Sequence, residues 1–121
     1  QICDFSGLKF GNITPTDIDC CIEYHNKAYV FVELKYNDKL VPFGQFLALE
    51  RLTDDLQHSG KETITIIATH NIGNTQEDID VSKTTVNTYR RKFRWFTVTS
   101  PTTTISLIQR FLAEVNSEVI V

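Results

Sequence analysis

Residues 17–35 constrain this chain most. Across residues 17–24, Ile18, Cys20, Ile22 and Tyr24 fall on one face of an extended segment, and Asp17, Asp19, Cys21 and Glu23 fall on the other. That alternation is the signature of a half-buried strand. Residues 28–35 repeat it, with Val30, Val32 and Leu34 on the apolar face and Tyr29, Phe31, Glu33 and Lys35 opposite. Between the two stand His25, Asn26 and Lys27, and asparagine suits the unusual backbone angle of a tight turn. A three-residue turn makes Tyr24 face Ala28. Counting outward, Asp19 then faces Glu33, Asp17 faces Lys35, and all four share one face. A two-residue turn would send the aspartates to the face opposite Glu33. The turn therefore decides whether this hairpin holds a site at all.

Directly opposed carboxylates repel. A divalent cation between them would reverse the sign, and Mg²⁺ is commonly held by one or two carboxylates with water and substrate phosphate completing its shell. Lys35, on the same face, is placed to orient an attacking water or to stabilise charge developing on phosphate. In outline this is metal-assisted phosphodiester hydrolysis. The competing expectation is a solvated hairpin face, since exposed strands carry Asp, Glu and Lys routinely. Two features weigh against it. Tyr29 and Phe31 lie on the acidic face, and Gln45 sits on the apolar stripe of the next element.

That element spans residues 42–57. Pro42 opens it, Phe46, Leu47, Leu49, Leu52 and Leu56 give the helical period, and His58, Ser59 and Gly60 stop it. Residues 62–69 read as a third strand, nearly continuous in apolar character and so central. A loop with Gly73 and Asn74 follows. Residues 81–89 and 93–99 pattern as strands, joined by Arg90, Arg91 and Lys92 as a basic hairpin tip. Ser100 and Pro101 read as an N-cap and first helical residue, and Ile105, Leu107, Ile108, Phe111, Leu112 and Val115 mark a helix to about residue 116. Residues 1–12 are interrupted by Gly7 and Gly11, with Ile2, Phe5, Leu8 and Phe10 expected to pack on the domain. The expectation is one α/β domain over residues 1–121, a mixed β-sheet flanked by helices.

Asp19, then Glu33-Leu34-Lys35 across a strand–turn–strand, then Gln45 on the next helix, resembles the PD-(D/E)XK nuclease superfamily. This is the restriction-endonuclease-like fold, which includes Holliday-junction resolvases. The resemblance covers residues 14–56 and implies that fold. It also implies a metal-dependent, endonucleolytic deoxyribonuclease using Mg²⁺ or Mn²⁺. Asp19 and Glu33 would be the metal ligands, Lys35 the catalytic lysine and Gln45 a supporting catalytic residue. DNA is the implied partner, and relatives that act in pairs suggest a homodimer. The chain departs from the family in one respect that matters. No proline immediately precedes the aspartate, so Asp17 rivals Asp19 as first ligand. The alternative function is a non-catalytic nucleic-acid-binding or interaction domain that retains the fold.

Lys83, Arg90, Arg91, Lys92 and Arg94 are interleaved with Tyr89, Phe93 and Trp95. Basic residues among aromatics can track phosphates and stack on bases, so these five are the candidate nucleic-acid contacts; the alternative is a hairpin tip with its aromatics in the core. The formal net charge of −3 argues against a surface covered in phosphate-binding charge, though not against a local patch. Three cysteines, two of them adjacent, form neither a disulfide framework nor a zinc spacing, which points to reduced thiols and a cytoplasmic location. No apolar run reaches the length of a membrane span. A chain without methionine that begins at Gln1 is read either as trimmed or as lacking its initiator.

Overall fold

The structure, a computed structural model, describes residues 3–73 and 77–117. Ile2 and Asn74, singled out above, lie outside them. Two strands, β1 (Cys20–Tyr24) and β2 (Ala28–Tyr36), lead into helix α1 (Phe43–His58) and strand β3 (Glu62–His70). A single 3-10 turn (Val81–Lys83) precedes β4 (Thr85–Arg91), β5 (Arg94–Thr97) and helix α2 (Thr104–Ser117). The five strands form one mixed sheet in the order β1-β2-β3-β4-β5. Only β2 and β3 run parallel; every other neighbouring pair is antiparallel. The return from the end of β2 to the start of β3 is made through α1, as a parallel connection requires.

The first hairpin closes as its sequence predicts. His25 and Asn26 both take positive φ, 50° and 59°, and the Lys27 N–H donates to the Tyr24 carbonyl at 2.9 Å. Tyr24 pairs with Ala28 and Cys20 with Val32. The strand itself begins at Cys20, later than the alternation suggested, so Asp17 and Asp19 sit on the approach to β1.

Alternation then sorts the sheet into two faces. Val30, Val32, Ile64, Ile66 and Val86 meet Leu107, Ile108, Phe111 and Val115 of α2 in the main core. Helix α1 covers the opposite face, where Leu49 and Thr53 are its fully buried side chains. Thr53 donates to the Leu49 carbonyl, and its hydroxyl meets that of Thr65 at the sheet centre. Shared hydroxyls remove the cost of burying two polar groups there. Helix α1 ends in a Schellman closure: Gly60, at φ 97°, donates to the Gln57 carbonyl and Lys61 to that of Leu56.

Three expectations need correction. Ser100 and Pro101 do not start α2; Thr103 caps it, accepting the Ser106 N–H at 3.3 Å. Residues 81–83 are a 3-10 turn rather than strand, because Asp80 caps Ser82 and pulls the backbone round. Phe5, Leu8 and Phe10 do not pack on the domain. They remain 53%, 48% and 68% exposed, since residues 3–19 enter no strand or helix.

Candidate active site

Glu33 lies on the α1 face of β2 and is 7% exposed. The turn geometry carries Asp19 to the adjoining position, where its Oδ2 accepts the Leu34 N–H at 2.8 Å. That bond ties the aspartate to the strand carrying Glu33 and fixes one of its two oxygens. Gln45, on the first turn of α1, donates from Nε2 to the Asp17 carbonyl at 3.4 Å and also hydrogen-bonds the Glu33 carboxyl. The polar residue on the apolar stripe thus tethers the approach segment to the carboxylate.

The Glu33 carboxyl is pushed up to about 7, and burial is the largest cause. The negative charge of Asp19 and a hydrogen bond with it contribute to the rise, Gln45 pulls the other way, and the charge of Asp17 adds a smaller upward push. The ranking of the two aspartates favours Asp19 as Glu33's partner. Glu33 Oε2 is buried with no hydrogen-bond partner among the described residues. A buried acceptor left alone calls for a water, a proton or an ion. A hard divalent cation fits this donor set: two carboxylates, one anchored and one with an unmet oxygen. Among the described residues no group of three or more His, Cys, Asp or Glu side chains has a metal-holding arrangement.

Lys35 stands two residues beyond Glu33 at the end where β2 and β3 finish. It pairs across the ladder with Thr69. Two clefts open there, and Lys35 lines both. One, of about 750 Å³, is of mixed character and runs past Thr69, His70, Ile72, Asp80 and Lys83. The other, of about 530 Å³, is apolar and is lined by Leu40, Phe43, Phe46 and Ile67 among others. Among the described residues, Asn87 is the only other one lining both. Sequence reasoning passed over it. Its register explains the placement: β3 pairs Ile67 with Thr88 but Ala68 with Val86, so Asn87 is the extra residue of a bulge. An asparagine inside a run of β-formers was the available signal.

The basic segment divides. Arg90 and Arg91, expected on a solvent-facing tip, are turned inward. Arg90 makes a two-pronged pair with Asp54, at 2.8 and 2.7 Å, and lies 3.4 Å from Glu50. Arg91 is paired with Glu62, bonded to Gln57 and laid over the Phe111 ring. Their charges are neutralised within the fold, which takes them out of the phosphate-binding set. Trp95 is likewise structural, donating to Glu50 at 2.8 Å and stacked on Phe46. The tip is Lys92 and Phe93, both with positive φ, in a two-residue turn. Lys83 remains on the surface with Asp80 3.8 Å away, and exposed Arg94 lies over the Phe96 ring. No helix among the described residues is long and apolar enough to cross a membrane.

No protein-family model, curated protein or solved structure matches this chain.

Proposed function

We propose that this chain is a divalent-metal-dependent nuclease of restriction-endonuclease-like fold that hydrolyses phosphodiester bonds, with DNA as substrate. One observation carries the reading: a carboxylate pair drawn together by the hairpin register, with a buried, unpartnered oxygen on Glu33. A fold gains nothing in stability by burying one carboxylate beside another. The arrangement makes sense where a cation is to be held.

Asp19 and Glu33 hold the Mg²⁺ or Mn²⁺ in this reading. When bound, that ion supplies charge stabilisation for the phosphate and a more acidic water. Asp19 is oriented for its part by the Leu34 N–H. Gln45 fixes the Glu33 carboxyl and the segment carrying Asp17 and Asp19. Lys35, at the rim of both clefts, aligns the attacking water and offsets negative charge on the phosphate.

Two measurements test this. Calorimetric titration with Mn²⁺ should show binding to the wild type that Glu33→Ala abolishes. Nicking of supercoiled plasmid should require Mg²⁺ or Mn²⁺ and slow by about a hundredfold or more in Lys35→Ala. Mn²⁺ binding untouched by Glu33→Ala, or nicking indifferent to Lys35→Ala, overturns the assignment.

A further inference from the structure

The two clefts that meet at Lys35 differ in the side chains that line them. One is of mixed character, with Thr69, His70, Ile72 and Lys83 beside the carboxylates of Asp38, Asp78 and Asp80. The other is walled by Leu40, Val41, Pro42, Phe43 and Phe46, with Ile67 as its floor. Among the described residues nothing covers the apolar cleft: Leu40 is 87% exposed and Phe43 78%. Phe46 is held in place by its stack on Trp95, with ring centroids 4.5 Å apart. Phe43, the first residue of α1, has open space beside it.

The ridge between the clefts carries two polar side chains, Lys35 and Asn87. The Asn87 Oδ1 accepts the Thr69 hydroxyl. That bond fixes the amide, leaving its two N–H donors unengaged among the described residues. An apolar, aromatic-lined cleft with a few fixed polar groups at one rim is the usual form of a site for a flat heterocycle. Bases stack on such aromatic side chains whatever their sequence.

We propose that the apolar cleft receives one unstacked nucleobase of the substrate, stacked on Phe43, with its phosphate lying over Lys35. Asn87 donates to the base edge or the adjoining phosphate. A base inside a duplex cannot enter. The preferred substrate is therefore an unpaired strand, a frayed end or a junction, rather than continuous duplex. This rests on the nuclease reading and adds its substrate class.

The test is fluorescence anisotropy in Ca²⁺ with two end-labelled probes: a twelve-nucleotide single strand and a blunt hairpin duplex whose stem has the same sequence. The wild type should bind the single strand at least tenfold more tightly. Phe43→Ala should erase about tenfold of that affinity and leave duplex binding unchanged, and Phe43→Trp should restore it. Phe43 is exposed, so these variants should fold, and matching thermal melts would establish that they do. Equal binding of both probes, or no effect of Phe43→Ala in a protein that still nicks plasmid, overturns the base site while leaving the nuclease reading standing. Absence of both binding and metal-dependent cleavage overturns the two together.

Discussion

Glu33 shows how much of a site a short sequence can carry. Its partner was legible because register is arithmetic: once His25, Asn26 and Lys27 form the loop, Asp19 has one place to go. Its burial was legible only indirectly, through Gln45 on an apolar stripe. What was not legible is the fate of Arg90 and Arg91. Their acidic partners lie far away in sequence: Glu50 and Asp54, one helical turn apart on α1, and Glu62 at the start of β3. Local pattern cannot report such pairings. The raised Glu33 carboxyl has a measurable consequence in the metal-free protein. Its folded value of about 7 stands above the ordinary value of 4.5, so the native state holds a proton that the unfolded chain releases. Stability from this group is fully present below about pH 4.5 and is lost as pH rises towards 7. The loss is on the order of 2–3 kcal/mol. Glu62 works in the opposite window. Burial raises its carboxyl, but hydrogen bonding and charge from Arg91 outweigh that and lower it, so its contribution fades only as pH falls through the acidic range. Urea denaturation between pH 5 and 7.5 should therefore show wild type falling relative to Glu33→Gln. Parallel curves would mean that Glu33 is solvated and ordinary.

At the scale of elements, the β4–β5 hairpin is strapped to α1 by polar contacts together with an aromatic stack. Arg90 reaches Asp54 and Glu50, Trp95 reaches Glu50, and its ring stacks on Phe46. Glu50 and Asp54 present their carboxylates to one arginine because helical period places them on the same side. The strap positions the cleft wall, since Phe46 both stacks on Trp95 and lines the apolar cleft. Removing one partner of a largely buried pair leaves charge without compensation. The Arg90 side chain is 11% exposed and that of Asp54 25%. Arg90→Ala should cost about 3 kcal/mol in urea denaturation. Arg94→Ala, a surface change on the same hairpin, should stay within about 0.5 kcal/mol. Similar small losses for both would mean that the strap contributes little and that Arg90 is available to other partners.

For the whole molecule, element order and the central position of β3 followed from periodicity, because long segments with strong patterns leave little choice. Residues 3–19 did not, because scattered apolar side chains between glycines specify no period and the fold leaves them on its surface. The distribution of charge was the harder quantity, and it decides how the protein meets nucleic acid. The chain carries a net −3. With Arg90 and Arg91 neutralised inside, the lysines lining the two clefts are Lys35 and Lys83, in the company of Asp38, Asp78 and Asp80. Such a surface displaces few counterions. About two phosphate contacts on a single strand give a salt slope near −1.4. Affinity for the single-stranded probe should then fall about sevenfold between 50 and 200 mM salt. A five-residue basic track of the kind first suggested by residues 83–94 would give about a hundredfold over the same range. The measured slope thus separates two modes of binding. A shallow slope, with affinity carried by Phe43, fits a base held in a cleft. A steep slope that persists in Phe43→Ala would place the contact on a cationic face elsewhere on the molecule.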